Sequence, residues 1–233
     1  MTRKTWIIFI VICTVVLGGL IWMSNSGKAN VSNLDPNAVQ KASDDSGNIP
    51  DHVYGKADSK VVFIEYADFQ CPGCAGMNPI VIELKEDYKD KVAFVYRNMP
   101  LTQIHANARF AASAAEAAGL QGKYWEMNNL IFEKQSAWKD LSIGERQNAF
   151  VSYAESLSLN IDKFKADIEN KDIAKKIAFD QALASKAQLK LSTPTLVLNG
   201  KLLNEADTKD KAAIAAAIDR ALKENGIEPP VKK

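Results

Sequence analysis

Cysteine and histidine are scarce in this chain, three and two residues among 233. A zinc site usually needs four ligands at regular spacing, and Cys13, Cys71, Cys74, His52 and His105 do not offer such a set. Charge of one sign is also missing. With 29 Lys and Arg against 28 Asp and Glu, the formal net charge of +1 gives no electrostatic argument for nucleic acid as a partner. Long apolar runs are absent apart from one near the N-terminus, and no strong strand pattern appears between Tyr96 and Thr195. What is present, a 47% apolar share in a chain of this length, suffices for one domain with a sizeable core plus extra segments.

The most informative stretch runs from Val61 to Cys74, an apolar run ending in Cys71-Pro72-Gly73-Cys74 and followed by residues at helical spacing. It reads as a buried strand, a short turn and a helix that starts at or next to Cys71. Unpaired N–H groups and the aligned peptide dipoles at a helix start favour a thiolate, so Cys71 is expected to be the more acidic and more exposed thiol. Cys74, one turn further in, is placed to resolve a mixed disulfide on Cys71. Pro72 suits a first turn, where its missing N–H leaves nothing unpaired, and Gly73 keeps the approach to the sulfurs open. Two blander readings stand beside this one: half of a zinc site, and a structural disulfide, although so short a loop would constrain the unfolded chain little.

Residues Met1 to Lys4 carry Arg3 and Lys4, and an uncharged run follows from about Trp6 to Met23. At about 1.5 Å per residue this run approaches the thickness of a bilayer core, with Trp6 and Trp22 at its ends. The basic residues before it hold the N-terminus in the cytoplasm and send the remainder outside. We therefore expect residues 1–23 to be a cytoplasmic stub and transmembrane anchor. A cleaved signal peptide is the alternative, with a site near Ser24-Asn25-Ser26. Cys13 inside the run reads as a small apolar residue. Residues 24–50, rich in Ser, Asn, Asp, Lys and Gly, read as a flexible linker.

The domain proper is expected over 51–227, with residues 228–233 as a tail. Val53-Tyr54-Gly55 reads as a short edge strand, Val61–Tyr66 as a central strand and Val92–Tyr96 as its parallel neighbour across a helix carrying Met77, Ile80, Val81, Leu84 and Tyr88. Helical patterns then fill residues 102–190, among them a capping box at Ser142 to Glu145. Thr195–Leu198 returns to strand, Asn199-Gly200 is a two-residue hairpin turn, and Asp207 to Asn225 reads as the closing helix with Gly226 as its stop. His105 reads as a packing or helix-start histidine rather than a catalytic one, and His52 has less claim still. Glu65, taken alone, is an acid near a strand end, a place where such residues are more often solvated than buried.

Phe63-Ile64-Glu65-Tyr66 with Asp68-Phe69-Gln70-Cys71-Pro72-Gly73-Cys74 resembles the active-site strand and helix of DsbA-like thioredoxin-fold oxidoreductases, and Pro79 sits where such proteins kink the helix. Gln121-Gly122-Lys123-Tyr124-Trp125 is similar to their inserted helical domain. The resemblance extends from about Asp51 to Asn225. It implies an α/β thioredoxin fold with a helical insert at about 102–190. It also implies a cis-proline at Pro194, with the Thr193 backbone facing Cys71 and free to pair with a substrate strand. Glu65 becomes, by the same resemblance, a buried acid beneath the resolving cysteine, able to exchange a proton with Cys74.

The expected function is therefore an extracytoplasmic, membrane-anchored thiol–disulfide oxidoreductase, most simply a dithiol oxidase acting on exported proteins with free thiols. It would be a monomer without cofactor or metal, its redox-active disulfide being Cys71-Cys74. The resemblance implies reoxidation by a membrane quinone reductase of the DsbB-like or vitamin K epoxide reductase-like type. Reductase and isomerase share these motifs and differ in potential. The DsbA pattern has histidine where this chain has Gly73, which points to a less oxidising centre. From another class, a surface protein holding copper or zinc on its CxxC is the alternative, without a nearby Met or His motif to complete the site.

Overall fold

The computed structural model describes residues 6, 9, 10, 12–14, 16, 17, 29–189 and 192–231. The apolar run from Trp6 to Met23 lies largely outside them, as do residues 24–28 of the expected linker and Lys232 and Lys233 of the tail. Among the described residues no helix is long and apolar enough to cross a membrane.

Among the described residues five strands form one sheet in the order β1-β3-β2-β4-β5. They are β1 (Val53–Gly55), β2 (Val62–Ala67), β3 (Ala93–Asn98), β4 (Thr195–Leu198) and β5 (Lys201–Leu202). β2 and β3 run parallel and place Glu65 beside Tyr96, while β4 lies antiparallel on the other side of β2 and places Leu196 beside Glu65. The crossover between β2 and β3 is helix α1 (Pro72–Tyr88), with Pro79 inside it. Asn199 and Gly200 both take positive φ, 45° and 77°, as the two-residue hairpin turn requires.

Between β3 and β4 the described residues form six helices: α2 (Ala108–Gly119), α3 (Tyr124–Glu133), α4 (Gln135–Trp138), α5 (Ile143–Ser156), α6 (Ile161–Ile168) and α7 (Lys171–Lys186). The Ser142–Glu145 capping box opens α5, and the Asn160 side chain caps α6. The closing helix differs from expectation. It is two helices, α8 (Glu205–Thr208) and α9 (Lys211–Glu224), because Asn204 caps the first and Asp210 starts the second by accepting from Ala213 N.

Strand alternation sorts the core. Phe63, Phe94, Leu196 and Leu198 pack with Leu84, Tyr88, Ile214 and Ile218 under α1 and α9. Ile64, Tyr66, Val95 and Val197 face the opposite way and pack with Ala184 of α7. The insert has its own core of alanines and aromatics, continuous with Phe69, Cys74 and Tyr96.

The flexible linker expected over 24–50 is corrected from residue 29 onward. Residues 31–51 form a strap across the second face of the sheet, with Val39 packed against the core of that face and Ile49 buried in the core of the insert. Composition misled here because the strap's backbone carbonyls serve as acceptors. The fully buried Arg97 donates to Pro36 O, Ala38 O and Asp51, and Lys186 donates to the carbonyls of Val31, Ser32 and Leu34. Asp51 also meets Lys176 of α7 at 2.9 Å, and Lys176 meets Asp180 at 2.6 Å, so strap, sheet and insert share one buried ion cluster.

Candidate active site

Cys71 is the N-cap residue of α1, with extended backbone (φ −71°, ψ 123°), and Pro72 follows in the first turn. The cap position aims the N–H groups of Gly73 and Cys74 at the Cys71 sulfur. All three cysteines are free thiols; Cys71 is half-buried and Cys74 is buried. The two thiols of the pair are driven apart in acidity. Cys71 is pushed down to about 5, first because the Cys74 thiol donates to its sulfur, with the two N–H groups adding to this against partial desolvation. Cys74 is pushed up, chiefly by burial and then by sharing its proton with Cys71, while the backbone of Asp68 opposes the rise.

Thr193 and Pro194 are joined by a cis peptide bond. The Thr193 carbonyl lies 3.4 Å from the Cys71 sulfur and accepts its S–H when the thiol is protonated. A Cβ added at Gly73 would meet Pro194 Cδ at 3.4 Å and the Cys71 sulfur at 3.7 Å, ordinary contacts that leave a slot between the two loops. Beside Pro194 opens a depression of about 220 Å³ lined by Met77, Ser192, Leu196 and Leu203 among others.

Glu65 is 4% exposed, and one of its carboxyl oxygens has no hydrogen-bond partner. Burial pushes its pKa up to about 7, against the pull of Lys85. It shares a strand face with Phe63 and Ala67, the face turned to α1, and its charge acts on Cys74. The structure thus gathers Cys71, Cys74, Pro72, Gly73, Thr193 and Pro194 at the start of α1, with Glu65 behind Cys74.

Lys85 was not singled out from the sequence. It is 2% exposed, lies 4.2 Å from the Trp125 ring and 3.4 Å from the Asn129 side-chain oxygen, and burial pulls its pKa down to about 8 despite Glu65. A signal was present, since Lys85 falls four residues after Val81 and therefore on the buried stripe of α1. Among the described residues no group of three or more His, Cys, Asp or Glu is placed to hold a metal ion.

A family model described as thioredoxin matches residues 47–220. Among curated relatives, Na(+)/H(+) antiporter NhaA 3 of Salinispora tropica is 38% identical over 151 residues, which are 65% of this chain and 22% of that protein. The chain thus spans about a fifth of the length of that relative. Among solved structures, a thioredoxin-like oxidoreductase from Silicibacter pomeroyi DSS-3 aligns with a TM-score of 0.61 and 27% identity over 77% of this chain and 97% of that one. Oxidised BdbD from Bacillus subtilis aligns with a TM-score of 0.64 and 24% identity over 80% of this chain and 98% of that one.

Proposed function

Because the chain belongs to the thioredoxin family, we propose that it is a thiol–disulfide oxidoreductase of the DsbA-like kind that works as a dithiol oxidase on exported proteins. The observation that carries this reading is the split between the two thiols. A Cys71 thiolate favoured at neutral pH stabilises the reduced protein, and whatever stabilises the dithiol makes the disulfide a stronger oxidant.

In the oxidising direction a substrate thiolate attacks the Cys71 sulfur of the Cys71–Cys74 disulfide. The S–S bond breaks, and its electron pair passes to Cys74, which takes a proton that in this proposal comes from Glu65. A second substrate thiolate then attacks the substrate sulfur of the mixed disulfide and releases the Cys71 thiolate. The substrate has lost two electrons and the protein has gained them. Return to the disulfide requires a membrane quinone reductase of the DsbB-like or vitamin K epoxide reductase-like type. That partner fits an enzyme held at the outer membrane face by residues 6–23, and the arrangement remains part of this proposal.

One observation favours a reductase as the second reading: Gly73 supplies no cationic or dipolar side chain to the Cys71 thiolate, so the potential is less oxidising than with histidine there. Trapping and redox equilibration test both. We expect Cys74→Ser to accumulate mixed disulfides with exported proteins, Cys71→Ser to trap none, and the wild-type pair to equilibrate with glutathione. Selective alkylation of Cys74 in the reduced native protein would reverse the roles. A potential near that of thioredoxin, roughly −270 mV, would favour the reductase.

A further inference from the structure

Asp68 stands three residues before Cys71, and its carboxylate is buried although it touches no cation of the buried cluster. Its Oδ2 accepts from His105 Nδ1 at 2.7 Å and from the backbone N–H of Leu101 at 2.8 Å, and its Oδ1 accepts from Gln70 N at 2.7 Å. A carboxylate only accepts, so the proton of that pair is carried on Nδ1. The two ends of the same residue address the two cysteines. Its backbone carbonyl accepts from Cys71 N–H at 3.0 Å, and its backbone N–H acts on the Cys74 sulfur.

We propose that Asp68 and His105 are positioning residues of the redox centre, their side-chain pair fixing the turn from Asp68 to Gln70 so that the Asp68 backbone sets the geometry of both sulfurs. His105 belongs to the loop between β3 and α2, and its carbonyl accepts from Ala108 N at 3.2 Å as that helix begins. The pair therefore ties the first loop of the insert to the active-site turn. The insert grips the same turn from a second side through Gln135, whose amide donates to Phe69 O at 2.7 Å and Cys71 O at 3.0 Å. The Gln135 amide makes neutral bonds to two carbonyls, whereas the Asp68 carboxylate gathers three donors. Removing His105 leaves one lobe of a buried carboxylate without its partner, and the turn relaxes to find another. The Cys74 S–H then loses its alignment on Cys71, and the Cys71 thiolate loses its main donor.

The inference rests on the dithiol reading above but is read on the reduced protein alone. Absorbance titration of the Cys71 thiolate in His105→Ala should show its pKa raised by about one unit, roughly tenfold. The equilibrium constant with glutathione should shift by about tenfold toward the disulfide form of this protein, about 30 mV less oxidising. Asp68→Asn should move both readouts the same way. His105→Asn, whose amide can still donate to Asp68, should recover most of the loss. A His105→Ala protein that melts earlier yet keeps the wild-type thiolate titration and potential would overturn the proposal, leaving a packing contact. Equal loss in the Asn and Ala variants would overturn it too. Absence of any exchange by the wild-type protein would instead count against the proposed function, while the thiolate titration still decides the role of His105.

Discussion

Glu65, Lys85 and the two thiols couple the redox centre to pH with opposite signs. Glu65 has its folded pKa raised from 4.5 to about 7, so the native state binds the extra proton between these values and its stability falls as pH rises through that window. At about 1.4 kcal/mol per unit, the upper limit of this loss is roughly 3 kcal/mol. Lys85 has its pKa lowered to about 8, and its contribution runs the other way above that pH. For Cys71 the folded pKa is about 5 against an ordinary 9.0, so its stabilisation is fully present above 9 and is lost as pH falls through 5. The thiolate is part-exposed, so solvent screening reduces its worth. The disulfide form lacks this charge. Thermal melts of both redox forms from pH 4.5 to 9 should show the dithiol gaining on the disulfide as pH rises. Glu65→Gln should remove the decline between pH 4.5 and 7 in the disulfide form, and in the dithiol should let the Cys71 gain show over the same range. A decline that persists in Glu65→Gln would show that another buried acid, with Asp180 the first candidate, dominates the profile.

The elements around the sheet are held in register by the cluster of Asp51, Arg97, Lys176 and Asp180, all buried. Burial opposes the charge on Asp51, but Lys176 and Arg97 outweigh it and hold its pKa at about 2. Asp180 is pushed by burial up to about 6 although Lys176 touches it. Lys176→Met removes the cation between the strap and α7 and leaves Asp180 without its cation, while Asp51 keeps Arg97. Breaking a buried pair in this way costs about 3–5 kcal/mol. Urea unfolding at pH 7.5 should show a loss of that size with an unchanged slope, and a smaller loss near pH 5, where Asp180 protonates instead. A loss below about 1 kcal/mol at both values would mean that water reaches the cluster. The strap depends on this chemistry, and it is where composition gave the wrong answer. A polar stretch with few apolar residues reads as solvated chain, yet its carbonyls satisfy Arg97 and Lys186.

At the scale of the whole molecule the proposed location decides which substrates are met. Cys71 is part-exposed and acidic, which makes it a reporter of side. In intact cells expressing the Cys13→Ser protein, a membrane-impermeant maleimide added after mild reduction should label Cys71, and the protein should stay with membranes through an alkaline wash. Labelling that appears only after lysis would place the domain in a reducing compartment, where a lasting disulfide does not persist.

The sequence by itself determined the strand, turn and helix around Cys71 and Cys74, because alternation, cap preference and the Cys-Pro-Gly-Cys spacing are local. It also determined the parallel pairing of β2 with β3, which a helical crossover dictates, and the start of α5 at Ser142. The resemblance around Glu65 and Thr193-Pro194 led to their places beside the thiols, 122 residues apart in the case of Cys71 and Thr193. Only the tertiary structure decided what partners the charged residues take. Lys85 beneath Trp125, Arg97 under the strap and Asp68 against His105 all look like ordinary surface charges in the chain. Their burial depends on acceptors and ring faces brought from distant segments, and a hydrogen bond to a backbone carbonyl leaves no trace in residue type.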